Sequence, residues 1–242
     1  MAAWFFTEEE IQNSKYIITG ENAKHIRVLR MKCGEELTLV TPSGVQHSCV
    51  IESVNQNLVE VNIKESMPCQ NEPDVFVTLY QALPKGDKMD FIVQKCVELG
   101  VSRIVPVMTA RCVSRPDEKS LKKKIARWQK IALQAAQQSR RGIIPEVCRC
   151  ISLKQAAEQS AENNKNIFFY ELGGESVKNI LTEKPKTIGM FIGSEGGFEE
   201  TEAELVLSHG ATAATLGKRI LRAETAPLAA LSVIMYQTDN FS

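Results

Sequence analysis

Apolar residues at Met89, Ile92, Val93, Cys96 and Val97 follow the i, i+3, i+4, i+7, i+8 spacing of a helix with one buried face. Gly100 stands just beyond it, where a glycine closes a helix. The pattern predicts a helix over Asp87–Leu99, between strands at Val75–Tyr80 and Arg103–Met108. Pro106 marks an edge or an irregularity in the second strand. The alternation continues with helices over Glu118–Ser139, Ser152–Glu162 and Ser176–Leu181, and strands over Asn166–Glu171 and Thr187–Ile192. A helix ending at Gly210, a strand over Ala211–Leu216 and a helix over Ala226–Tyr236 complete it. Alternating β and α units of this length predict a parallel sheet covered on both faces.

The first seventy residues read differently. Short runs at Trp4–Phe6 and Tyr16–Ile18 precede a helical stretch over Glu21–Leu29. Alternating segments follow at Glu36–Thr41, Val45–Val54 and Leu58–Lys64, separated by the turns Pro42-Ser43-Gly44 and Asn55-Gln56-Asn57. They suggest a small closed or nearly closed β-barrel. Ser66–Pro73, with two prolines among polar residues, reads as the linker to the larger domain.

Composition narrows the class. The 242 residues are 43% hydrophobic and 24% charged, with formal net charge zero, as expected of a globular protein with a normal core. MAAWFFTEEE lacks the basic and apolar regions of a signal peptide, and no apolar run is long enough to span a membrane. Seven scattered cysteines fit a reduced cytoplasm, and the lone C-x-C of Cys148 and Cys150 is expected to be structural, with no metal site.

Zero net charge leaves room for local patches. Lys24, His25, Arg27, Arg30 and Lys32 cluster within a segment that otherwise carries an acidic excess. They form either a phosphate-contacting patch or a solvated helix face. The helix over Glu118–Ser139 has a buried stripe of Leu121, Ile125, Trp128, Ala132 and Ala135, with lysines on its other faces. Arg140 and Arg141 follow it, better placed for a specific contact than the mid-helix lysines.

Two loops near the C-terminus concentrate the chemistry. GSEGGF runs from Gly193 to Phe198, and LGKRILRAETA from Leu216 to Ala226. Each follows a predicted strand and opens into a predicted helix, and ligands of such sheets bind beyond the carboxyl ends of the strands. Glycines at 193, 196 and 197 allow close backbone approach to a ligand. Glu199, Glu200 and Glu202 in the next helical turn suit its dipole but argue against a phosphate there. Six residues separate Gly210 from Gly217, and Arg219 follows Lys218, so no Walker A motif is present. G-x-G-x-x-G is absent too; the first strand of the larger domain runs into LPKGDK instead. The last helix, apolar on nearly every face, calls for burial all round and suits a subunit interface.

GSEGGF, LGKRILRAETA and the N-terminal HIRVLRMK together closely resemble the bacterial 16S ribosomal RNA uracil-1498 N3-methyltransferases of the SPOUT superfamily. The resemblance covers essentially the whole chain. It implies an α/β protein with a PUA-like RNA-binding β-barrel over residues 1–70. It implies a SPOUT domain over 71–242 with a parallel sheet and a C-terminal trefoil knot. It further implies S-adenosylmethionine as methyl donor, 16S ribosomal RNA on the 30S subunit as substrate, and a cytoplasmic homodimer. Leu172, Gly173, Gly193, Glu195, Gly196, Leu216, Gly217, Ile220, Leu221 and Arg222 are the donor-pocket residues the resemblance implies, with Arg222 also the candidate catalytic cation. Lys24, His25, Arg27, Arg30, Arg140 and Arg141 are the expected RNA contacts. Trp4 stands where the family usually carries an arginine.

Overall fold

The structure, a computed structural model, describes residues 2–241. They form two compact units: the chain up to Glu72 with Ala136–Ile143, and Pro73–Ala135 with the chain from Ile144 onward.

The first unit contains β1 (Ala3–Phe6), β2 (Lys15–Ile18), α1 (Gly20–Val28), β3 (Glu36–Val40), β4 (Val45–Val54) and β5 (Val59–Pro68). Its sheet has the order β1-β3-β4-β5-β2, with β1 parallel to β3 and the remaining pairs antiparallel. Alternation along the strands sends Leu37, Leu39, Cys49, Ile51, Val59 and Val61 into one core. Helix α1 adds Ala23 and Ile26 to it. The turn after β3 closes where Gly44, at φ 77°, donates from N to Thr41 O at 2.9 Å. The expected linker begins later than the sequence indicates, because Ser66–Pro68 belong to β5. Pro68 sits opposite Val45 at the very end of that ladder, where a missing N–H is tolerated.

The second unit alternates β6 (Phe76–Ala82), α2 (Lys88–Glu98), β7 (Arg103–Met108), α3 (Glu118–Gln138), β8 (Glu146–Val147), β9 (Ile151–Ser152) and α4 (Leu153–Ser160). It continues with β10 (Lys165–Phe169), β11 (Glu175–Ser176), α5 (Val177–Ile180), β12 (Thr187–Ile192), α6 (Glu200–Ser208), β13 (Ala211–Thr215) and α7 (Ala226–Gln237). The last turn of α3 groups with the first unit. The sheet order is β11-β13-β10-β12-β6-β7-β8, with β9 also on β7, and every pair is parallel. A sheet covered on both faces needs near-continuous apolar strands, which Ile167–Phe169 and Ile188–Ile192 supply. Tyr80 of β6 stacks on Phe191 of β12 at 4.5 Å, and Phe168 and Phe198 complete the aromatic core.

Pro106 does mark an irregularity. Ile104 O accepts from Cys148 N, and Val107 pairs with Ile151, so pairing on that side of β7 breaks between β8 and β9, beside the proline. The two-residue strands β8, β9 and β11 were not expected, being too short to show a period. Met89, Ile92, Val93, Cys96 and Val97 of α2 are buried, as the stripe predicts. Helix α7 buries Pro227, Ala230, Leu231, Ile234 and Met235 but leaves Val233 and Tyr236 exposed, so in the single chain it is not covered all round. Among the described residues no helix is long and apolar enough to cross a membrane.

Removing the Phe191 ring from this fully buried stack should cost about 3–5 kcal/mol. A Phe191→Ala chain is expected to unfold at markedly lower urea concentration, with little change in the slope of the transition.

Candidate functional site

Strands β10, β12 and β13 run parallel and adjacent, so their carboxyl ends open on one side of the sheet. Three loops leave there and wall a cavity of about 590 Å³. The first loop folds as a tight turn, with Gly197 N donating to Ser194 O at 3.0 Å. Gly197 lies at φ 66°, a left-handed conformation that favours glycine, and a Cβ on it would also displace the exposed Glu171 carboxylate. Its neighbour Gly196 presents a carbonyl to Arg111 Nη1 at 3.0 Å. Glu202 closes a capping box on Glu199 and accepts from Ala110 N at 2.7 Å. The acidic turn expected beyond the first loop thus caps α6 and fixes the segment after β7.

Gly193, Glu195 and Gly196 line the cavity from the first loop. Leu216, Gly217, Ile220, Leu221 and Arg222 line it from the second. Ile220 is 89% exposed there, an apolar side chain open to the cavity mouth. From β10 the cavity takes Phe169, Tyr170 and Glu171 rather than Leu172 and Gly173. Gly173, at φ 113°, donates from N to Tyr170 O, and the turn leaves Leu172 79% exposed. Lys218 and Arg219 also line the cavity; they lie inside the second motif but carried no expected role.

One ammonium joins the two loops. Lys88, at the start of α2, places Nζ 2.9 Å from Glu195 Oε1 and 2.9 Å from Glu224 Oε2. Lys85 N adds a hydrogen bond to Glu195 Oε1 at 3.1 Å. Burial opposes charge on Glu195, but the hydrogen bonds from Lys88 and Lys85 N prevail and hold its carboxyl below the ordinary value. The Lys88 ammonium, as an ion-pair partner, lowers Glu224 likewise, and the two carboxylates raise Lys88. Residues of LPKGDK therefore support both motifs, across sequence separations that no local pattern reveals.

The basic residues divide. Arg27 and Arg30 are exposed, beside Val28 and Leu29 at 76% and 49% exposure. His25 is exposed and edge-on to Phe5 at 5.5 Å, while Lys24 pairs with Glu21 at 2.7 Å. Arg30 and Arg140 both adopt φ 57°, a left-handed conformation in which glycine is usual after a helix. Arg141 differs from the expectation of a surface contact. It is 3% exposed, and its Nε donates to Glu72 Oε1 at 3.1 Å. The same oxygen accepts from Gly142 N at 2.8 Å and Ile143 N at 3.2 Å, which folds the segment and sequesters the guanidinium. Trp4 Nε1 donates to Arg141 O at 3.0 Å, a structural bond at the position where arginine was expected. Along α3, Arg127 pairs with Asp90, which also accepts from Trp128 Nε1.

Burial pushes the Cys148 and Cys150 thiols up to about 11, so both stay protonated at neutral pH. Among the described residues no group of three His, Cys, Asp or Glu side chains is placed to hold a metal ion.

Glycine loops beyond the carboxyl ends of parallel strands make this an α/β protein with a candidate site for a small ligand. An RNA methyltransferase domain family matches residues 71–235, and an RNA methyltransferase PUA domain family matches 18–64. Ribosomal RNA small subunit methyltransferase E of Bacillus subtilis is 36% identical over 96% of this chain and 94% of its own. The crystal structure of ribosomal RNA small subunit methyltransferase E from Neisseria gonorrhoeae, bound to S-adenosyl methionine, superposes with a TM-score of 0.90 at 32% identity, covering 98% of each chain. A methyltransferase from Legionella pneumophila, in complex with bound S-adenosyl methionine, gives 0.90 at 31% identity, again over 98% of each chain. The chain belongs to the RNA methyltransferase family of ribosomal RNA small subunit methyltransferase E.

Gly197→Ala places a Cβ on a left-handed backbone. Its unfolding free energy is expected to fall by about 1–3 kcal/mol, read from urea denaturation.

Proposed function

We propose that the chain methylates N3 of uridine 1498 in 16S ribosomal RNA, with S-adenosylmethionine as donor. Methylation of small-subunit ribosomal RNA follows from the family. The observation that carries the cofactor is the single cavity walled by both glycine loops. Its volume of about 590 Å³ falls in the range of small-ligand sites. Its lining suits the donor: Phe169, Ile192, Leu216 and Leu221 offer apolar surface, Glu171 an anion, and Lys218 and Arg219 cations. The chain's residues therefore fit a molecule with an aromatic base, a sulfonium, an amine and a carboxylate.

When bound, S-adenosylmethionine supplies an activated methyl group. Gly193, Glu195 and Gly196 of the first loop and Leu216, Gly217, Ile220 and Leu221 of the second would hold the donor, and positioning of this kind contributes several kcal/mol. Uracil N3 gives up its proton to solvent water as the bond to the methyl carbon forms, and negative charge spreads onto O2 and O4. Arg222, on the cavity wall, is our candidate to stabilise that charge. Glu195 and Glu224 are poor bases for the proton: both are committed to Lys88, and both carboxyls are held below their ordinary range.

Residues 1–70 serve in this reading as the PUA-like barrel that binds RNA, with Lys24, His25, Arg27 and Arg30 as its patch and Arg140 as a further contact. Residues 71–242 form the SPOUT domain, its C-terminal segment threaded as a trefoil knot. The sheet order supports the threading: β13 lies beyond β10, yet α7 returns to pack on α2 and β12. A second copy covering the Val233 and Tyr236 face of α7 gives the homodimer, and the 30S subunit in the cytoplasm is the substrate.

Incubation with donor and 30S subunits, then mass spectrometry of digested 16S RNA, should find one methyl on N3 of uridine 1498. A methyl on ribose would instead mark a ribose-modifying enzyme. Arg30→Gly should separate stability from binding. The left-handed residue costs roughly 1–2 kcal/mol and glycine's chain entropy returns 0.5–1, so stability should hold or rise slightly. Affinity for 16S RNA should fall, with a salt dependence shallower by about one unit.

A further inference from the structure

Among the described residues, Lys88 ion-pairs with a carboxylate from each motif loop. Its Nζ meets Glu195 of the first and Glu224 of the second, each at 2.9 Å. The two carboxylate oxygens therefore lie within about 6 Å of each other, close enough for like charges to repel. Other charges lie near: Glu171, Lys218, Arg219 and Arg222 line the same cavity. Lys85 reaches Glu195 through its backbone N, and Arg222 is the other cation acting on Glu224. Neither bridges the loops. All three side chains of the bridge are between a quarter and a third exposed, so the pairing is screened only in part. Lys88 also opens α2, whose buried stripe anchors it in the core, so the ammonium is carried on a rigid element.

We propose that Lys88 is a positioning residue that locks the two loops in the spacing the methyl donor requires. This rests on the reading of the cavity as the donor site. Without the ammonium, the two carboxylates push the second loop away from the first, and the cavity between them loses its shape. Protonating either carboxylate removes the repulsion, so the defect carries its own pH signature.

The test is isothermal calorimetry with S-adenosylmethionine on the full chain, wild type beside Lys88→Met, from pH 8 to pH 5.5. Comparing the two at each pH cancels titration of the donor itself. At pH 8 the variant should bind about tenfold more weakly, the effect of about 1.4 kcal/mol. The ratio should shrink toward unity as the pH falls. In wild type the ammonium keeps both carboxylates charged through this window, so no matching change is expected. Lys88→Arg should bind within about threefold of wild type, and Glu224→Gln placed on Lys88→Met should recover much of the lost affinity, as coupled neighbours do. A ratio near one at every pH, a loss that does not change with pH, or a double variant no tighter than Lys88→Met each overturns the proposal. If Lys88→Met does not fold, Glu224→Lys sets two ammonium groups together and must weaken binding at pH 8; unchanged affinity there overturns it equally. Absence of donor binding by wild type would instead sink the reading of the site.

Discussion

Everything at the site depends on three strands hydrogen-bonded in parallel. Phe168 lies level with Phe191 on β12 and with Ala213 on β13, so β10 and its two neighbours end together. Parallel pairing requires each strand to be reached by a crossover, and the loops that begin the crossovers all emerge on one side. Segments far apart in sequence, at 169–171, 193–197 and 214–223, become walls of one cavity. No single loop could enclose a ligand of this size, and an antiparallel arrangement would scatter them to opposite edges.

The cavity walls are held by polar bonds as well as by the packing of Phe198 into the core. Glycines leave the loops little side-chain volume, so their shape is set from outside. Arg111 holds the Gly196 carbonyl, Glu202 ties the segment after β7 to the head of α6, and Lys88 spans the two motifs. A backbone-lined site needs such supports, because a shift of about 1 Å in a positioning loop is enough to lower a rate substantially. Two carboxylates beside these walls, Glu195 and Glu224, both pair with Lys88, so their charge goes into holding the two loops.

Much of this was legible in the sequence. The α2 stripe, the alternation of strands and helices, and the two glycine motifs depend on local spacing, which the chain displays directly. Pro106 announced its break in the sheet for the same reason. What stayed hidden depends on partners distant along the chain. Arg141 reads as a surface cation until Glu72 folds against it and buries it. Leu172, a pocket residue by resemblance, is exposed beside the left-handed Gly173. Lys88 reads as an ordinary first-turn lysine, because its two carboxylates come from the far end of the chain. Two-residue strands such as β8 and β9 are set by pairing with β7 alone and have no period to detect.

The central claim is that the loops at 193–198 and 216–223 hold one ligand between them. Hydrogen exchange of the full chain, with and without saturating S-adenosylmethionine, tests it directly. Amides of both loops should slow together on addition of the donor, with the segment at 169–171. Slowing confined to one loop, or appearing only elsewhere in the chain, would contradict it.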